Sequence, residues 1–115
     1  MSNGGPARND IANEEAAAIF AALGDPTRVA LVGRLSDGSA CSITELAADS
    51  ALTRQAVTKH LQVLEAAGLV TRRKAGRESQ YALSPQPLHD ARQYLEVVDR
   101  QWEQALGRLK SFLER

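Results

Sequence analysis

The sequence predicts a mainly α-helical domain with a small β-hairpin, arranged as a winged helix-turn-helix. Three observations predict it. A capped short helix and an amphipathic helix follow each other over residues 42–67, two strand-like segments flank Gly76 directly afterwards, and a long heptad pattern occupies the C-terminal quarter. The expected order is five helices, with the hairpin between the fourth and the fifth. We predict a disordered tail at residues 1–12 and one domain at residues 13–115.

Composition is consistent with one small domain. The chain has 115 residues, of which 43% are hydrophobic, and no segment has the 18 or more apolar residues of a membrane span. The N-terminal MSNGGPARND is polar and does not resemble a secretory signal. Cys41 is the single cysteine, so an intramolecular disulfide is excluded. We therefore expect a cytoplasmic protein without a membrane partner.

The first two helices are predicted from their N-terminal signals. Asn13 is the expected N-cap of the first helix, which ends near Gly24. Asp25 caps the second helix, and Pro26 occupies its first position, where a missing N–H costs least. Apolar residues at helical spacing continue this second helix: Val29, Leu31, Val32 and Leu35.

A helix-turn-helix is predicted over residues 42–67. Ser42 and Glu45 have the spacing of a capping box, which begins a short third helix that ends at Ala48. After a break, Thr53 is the expected N-cap of a fourth helix that continues to Ala67.

The fourth helix has two faces of different chemistry. At 100° per residue its buried stripe, Val57, Leu61 and Leu64, lies within an arc of about 60°. The opposite side carries polar residues suited to base edges in a DNA major groove: Gln55, Thr58, Lys59 and Gln62. Arg54, beside the helix N-terminus, is placed to bind a backbone phosphate. The alternative for such a face is simple solvation.

The basic hairpin that follows favours DNA binding, rather than simple exposure to solvent, as the role of the polar helix face. LVTRRK and ESQYAL form two predicted strands joined at Gly76, and four basic residues surround the turn: Arg72, Arg73, Lys74 and Arg77. Residues 53–77 contain six basic residues and one acidic residue, a net charge of +5, so the remainder of this formally neutral chain carries −5. Charge near a hairpin turn also serves solubility or edge protection. Because this charge continues the polar helix face, we predict phosphate contacts.

The last helix predicts a homodimer. From Leu88, apolar residues recur with a/d heptad spacing over more than three heptads. A helix packed along its own domain would also need such a stripe, but here Leu106 and Leu113 widen it, and the first helix offers a second apolar surface. The residues predicted at the dimer interface are Ile19, Phe20, Leu95, Val98, Trp102, Leu109 and Phe112.

Three segments of the chain resemble the ArsR family of bacterial winged-helix repressors. They are GDPTRVALVGRL, ITELA and TRQAVTKHLQVLEAAGLVTRRKAGRESQYAL, in family order from about Phe20 to Leu83. The resemblance implies a homodimeric repressor that binds a palindromic double-stranded DNA operator and is released by a signal. It also implies that residues 53–67 form the recognition helix, in which His60 serves packing or a phosphate contact rather than metal ligation.

The sequence departs from the family at the positions of the family's metal ligands. The resemblance places the family's third-helix ligands at Ser42 and Thr44, whose hydroxyls are poor ligands for thiophilic ions. Cys41 is one residue away without a thiol partner, and His89 is the only histidine of the last helix. We therefore expect no metal site and no cofactor, as in the metal-independent branch of the family. In place of a metal, the releasing signal would be a small-molecule inducer, whose identity the sequence does not give.

Other classes of function have less support in the sequence. The sequence contains no recognisable nucleophile with a base, carboxylate pair or phosphate-binding glycine loop, so an enzyme is not expected. A winged helix used only for protein contacts is one alternative. A redox-responsive repressor that uses Cys41 is another, because a thiol beside a helix N-terminus can be acidified.

Overall fold

The computed structural model describes residues 13–115, so the tail predicted at residues 1–12 lies outside the described residues. The five predicted helices and the hairpin are present in the expected order. The elements are α1 (Asn13–Ala22), α2 (Pro26–Arg34), β1 (Cys41–Ser42), α3 (Ile43–Ala48), α4 (Arg54–Ala66), β2 (Val70–Ala75), β3 (Glu78–Leu83) and α5 (Pro85–Leu113). This arrangement confirms the winged helix-turn-helix.

Side-chain caps begin three of the helices where the sequence predicts them. The Asp25 carboxylate accepts a hydrogen bond from the backbone N–H of Arg28 (3.1 Å) at the start of α2. Ser42 and Glu45 form the complete reciprocal capping box of α3. The Thr53 hydroxyl accepts from a backbone N–H in the first turn of α4. Each cap satisfies backbone donors that lack an intrahelical partner.

The sheet has one strand more than the sequence predicts. β2 and β3 form the expected antiparallel hairpin, and the turn contains Gly76 with a φ of 64°, a left-handed conformation that favours glycine. β1 pairs with the other side of β3, with Cys41 opposite Tyr81 and Ser42 opposite Gln80. Two residues are too few to show strand alternation, and the sequence identified Ser42 only as a helix cap.

The core lies between the helices and the inner face of the sheet. The largest fully buried side chains are Leu35, Leu46, Val57, Leu61, Leu64, Leu69 and Val70. The buried stripe predicted for α4 is confirmed, since Val57, Leu61 and Leu64 are all 0% exposed. α4 is therefore fixed by its inner face, and its opposite face is free for contacts.

Only the first part of α5 packs on this core. Ala91 is buried and Leu88 is half-buried against the core, whereas apolar side chains from Leu95 onward are largely exposed. The helix has 29 residues, a length of about 43 Å at 1.5 Å per residue. No single helix among residues 13–115 is long and apolar enough to cross a membrane; α1 and α2 reach that length only as a pair bent by 91°.

Candidate nucleic-acid interface

The outer face of α4 presents the predicted polar side chains to solvent. Gln55, Lys59 and Gln62 are exposed, as is Arg54 at the N-terminus of the helix. Thr58 is half-buried, and its hydroxyl donates a hydrogen bond to the Arg54 carbonyl (2.8 Å) one turn earlier. Because that proton is used within the helix, Thr58 can contact a base only through its methyl group or as an acceptor.

The strand register divides the basic residues of the wing between two faces. Arg72 lies opposite the buried Tyr81, and Arg73 lies opposite Gln80, on the other face of the hairpin. The Arg72 Nε is 3.9 Å from a carboxylate oxygen of Glu65 on α4. This position, three residue pairs from Ala75 at the end of the strand, separates Arg72 from the tip of the wing.

The turn end of the wing meets α4 at a small cleft of about 140 Å³. Arg54 from α4 and Arg77 from the hairpin turn line it together, although they are distant in sequence. The other lining residues are Ser42, Ile43, Thr44, Glu78 and Ser79. Two guanidinium groups with hydroxyl donors can bind a phosphate oxygen at this place, whereas Glu78 opposes an anion. Positive charge from helix and wing therefore adjoins the outer face of α4.

A polar cluster at the inner flank of α4 was not predicted. The Arg28 guanidinium donates from Nε to the Ala22 carbonyl (2.6 Å), from Nη2 to the Ala21 carbonyl (3.3 Å), and from Nη1 to His60 Nδ1 (3.3 Å). Asp25 Oδ2 lies 3.9 Å from the same His60 nitrogen. The hydrogen bond from the Arg28 backbone N–H holds the pKa of the Asp25 carboxyl below its ordinary value.

The cluster favours packing as the role of His60. Its side chain is 23% exposed and is bound to Arg28 within the domain, so packing describes it better than a phosphate contact. The sequence signal that could have identified the cluster is the arginine three residues after the Asp25 cap, because the motif GDPTR contains more than a helix start.

The predicted interface residues on α5 and those on α1 differ in their exposure to solvent. Five of them on α5 are exposed, by 42–64%: Leu95, Val98, Trp102, Leu109 and Phe112. Ile19 is 4% exposed and packs in the core of its own subunit, so its contact with a partner stays a prediction. Phe20 is half-buried, with its ring centroid 6.2 Å from that of Tyr94. The inner side of α1 serves intradomain packing against α5.

Two of the residues weighed as metal ligands, Ser42 and Cys41, are buried in the fold, whereas Thr44 and His89 are exposed. Ser42 is 3% exposed and its hydroxyl accepts the backbone N–H of Glu45 (3.1 Å). Cys41 is also 3% exposed, and its Sγ lies 3.8 Å from the Ser39 hydroxyl. Within residues 13–115, no three histidine, cysteine or acidic side chains form a group that could hold a metal ion.

Comparison with known proteins agrees with this architecture. A family model described as a helix-turn-helix domain matches residues 23–73. The chain is 45% identical over 85 residues to the HTH-type transcriptional regulator Rv2034 of Mycobacterium tuberculosis, covering 74% of this chain and 76% of the relative. The solved structure of an ArsR-like transcriptional regulator from Rhodococcus sp. RHA1 is 36% identical, with a TM-score of 0.76, covering 86% of this chain and 92% of that one.

A further solved relative is described as a metal sensor. The structure of the cadmium metal-sensor CMTR from Mycobacterium tuberculosis is 42% identical, with a TM-score of 0.53, over 66% of this chain and 75% of that one. Residues 23–73, which the family model matches, contain the helix-turn-helix with the exposed polar face of α4. The chain belongs to the ArsR family of winged helix-turn-helix transcriptional regulators, which bind DNA sequence-specifically and are not enzymes.

Proposed function

We propose that this regulator binds base edges through the outer face of α4 and phosphates through Arg54 and the wing. The observation that carries the proposal is the position of the exposed Gln55, Lys59 and Gln62 beside the cleft that joins Arg54 to Arg77. Phosphate contacts orient a protein on the duplex, and side chains in the major groove distinguish base pairs. Thr58 contributes its methyl group. Arg73 and Lys74 bind the flanking backbone, and Arg72 contributes less because Glu65 is near it.

The proposed active form is a homodimeric repressor on a palindromic operator. In the isolated subunit, α5 exposes a stripe that includes Leu95, Trp102, Leu109 and Phe112. Exposed apolar surface of this extent is typical of a protein interface. A two-fold dimer would present two recognition helices to two half-sites, so that the symmetry of the protein matches that of the operator.

The proposed control does not use a metal ion at α3. Ser42 Oγ caps α3 and is a poor ligand for the soft or borderline ions that such sensors detect, and the Cys41 thiol is buried in the sheet. In this proposal, the similarity to a cadmium sensor therefore lies in the shared winged helix-turn-helix fold and not in a metal site. Burial also disfavours the redox alternative for Cys41, because reactive cysteines are accessible to solvent. The class of signal that we propose instead is a small-molecule inducer.

Base recognition is tested with Gln55→Ala. Loss of a bidentate glutamine contact is expected to cost about 1–3 kcal/mol on the operator and to relax base preference at one position. The measurement compares affinity for an operator selected from random duplexes with affinity for random DNA. Lys74→Ala is the matched control, because loss of one phosphate contact weakens both duplexes alike and lowers the salt slope by about 1.

Equal losses for Gln55→Ala on operator and random DNA would exclude Gln55 from base recognition. Absence of any salt-dependent binding of the parent protein to duplex DNA would instead support a winged helix used only for protein contacts.

Metal independence is tested on the same operator. We expect equal operator affinity in excess zinc, cadmium or arsenite and in chelator, because hydroxyl ligands offer these ions little affinity in either DNA-binding state. Cys41→Ser should bind like the parent protein under reducing conditions. Loss of binding with stoichiometric metal, abolished by Cys41→Ser, would show that Cys41 replaces the missing family ligand.

A further inference from the structure

We propose that Arg28 is a positioning residue for operator recognition, acting through its hydrogen bond to His60. Arg28 contacts neither the outer face of α4 nor the wing in the structure; its guanidinium joins the C-terminal end of α1 to the inner flank of the recognition helix. The inference rests on the proposed use of α4 for base recognition. It adds a residue, outside the DNA-facing surface, that determines how accurately this helix is placed.

The Arg28 guanidinium is fixed on three sides. Two of its nitrogens donate to carbonyls of the last turn of α1, at Ala21 and Ala22, and the third donates to His60. An arginine has no acceptor, so in this contact Arg28 donates and His60 Nδ1 accepts. The planar fork of arginine makes these bonds simultaneously, which a lysine ammonium on its flexible stem does not reproduce.

His60 is placed where a small shift would matter for recognition. It is half-buried, and at 100° per residue it lies on the flank between the buried stripe and Lys59 on the outer face. The neighbouring Leu61 is fully buried. Packing of the stripe limits translation of α4, whereas a polar contact on the flank restrains rotation about the helix axis. Rotation changes which base edges the outer side chains reach.

The Arg28 cluster also connects the recognition helix to the proposed dimer helix. Phe20 on α1 packs its ring at 6.2 Å from that of Tyr94 on α5, and Ala22 at the end of α1 accepts from Arg28. Contacts therefore run without interruption from α5 through α1 and Arg28 to His60. A double-mutant cycle measures the energetic coupling along such a path.

The test measures the preference for a selected operator over random duplex DNA in the full chain. The variants are Arg28→Lys, His60→Leu, their double variant, and His60→Asn, whose amide oxygen occupies nearly the position of Nδ1 and can accept from Arg28. We expect about a tenfold loss of preference in each of Arg28→Lys and His60→Leu, and no further loss in the double variant, because residues sharing one contact are not additive. His60→Asn should retain the preference within about twofold. Arg100→Lys, on the exposed side of α5 about 160° from Trp102, is the charge-matched control.

Random-duplex affinity separates positioning from stability. It depends on phosphate charge, so it should remain near the parent value in all charge-conserving variants that melt as folded proteins. Additive losses in the double variant, equal losses on random DNA, or equal behaviour of His60→Leu and His60→Asn would overturn the proposal. If His60→Leu does not fold, an unchanged preference in Arg28→Lys is enough to overturn it. Should Gln55→Ala leave base preference intact, it is the proposed use of α4 that fails.

Discussion

Trp102→Ala is expected to dissociate the regulator into folded monomers at concentrations where the parent protein is a dimer. Trp102 is 61% exposed in the subunit and lies at the middle of the apolar stripe of α5. Removal of a central tryptophan from an interface typically costs about 2–4 kcal/mol, which corresponds to a dissociation constant about 30- to 1000-fold higher. Sedimentation equilibrium over a range of concentrations measures this change.

The effect on DNA should follow from the loss of the second half-site. A monomer contacts one half-site only, and linking two binding units raises overall affinity by about 10²–10⁴ without new contacts. Gln104→Ala is the matched control, because this exposed residue lies about 200° around α5 from Trp102. An unchanged dimer dissociation constant for Trp102→Ala would remove this residue from the interface, and a monomeric parent protein would contradict the dimer itself.

Local signals in the sequence were sufficient for most of the fold. The caps at Asp25, Ser42 and Thr53 each depend on a hydrogen bond to a residue three positions later, so the sequence spacing alone identifies them. Likewise, the helical period places Val57 and Leu61 on one face of α4 without knowledge of any other element. These features involve only residues close in the chain.

Features that depend on distant partners were missed. The pairing of β1 with β3 joins Cys41 to Tyr81, and no local pattern in a two-residue strand reveals it. Arg28 and His60 are 32 residues apart, and each looks ordinary in its own helix. Ile19 has the spacing of an apolar stripe whether the stripe faces a partner subunit or the domain core. The period of a pattern shows that a face is buried, but not what buries it.

The same limit applies to the candidate site. Charge at the wing tip and on α4 is visible in the sequence, and so is the polar outer face. The register was needed to show that Arg72 lies near Glu65, and the three-dimensional arrangement was needed to bring Arg54 to Arg77. Opposed or clustered charges on separate elements are therefore the part of a binding surface that sequence identifies least well.

The second large effect is expected on stability, when a side chain on the inner face of α4 is truncated. Leu61→Ala is expected to lower the free energy of unfolding by about 2–5 kcal/mol, because Leu61 is 0% exposed and its truncation leaves a cavity among close-packed side chains. Val63→Ala, two residues further along the same helix, is the matched control. Its side chain is 42% exposed, so its truncation should change the free energy of unfolding by no more than about 0.5 kcal/mol.

Urea denaturation at one fixed protein concentration measures both variants, since the stability of a dimer depends on concentration. A domain of this size is stable by about 5–15 kcal/mol, so Leu61→Ala removes a substantial part of that free energy. Equal losses for Leu61→Ala and Val63→Ala would mean that Val63 is also covered, by a partner subunit or by other chain segments. That outcome would reduce the surface of α4 available to DNA to the side that carries Gln55, Lys59 and Gln62.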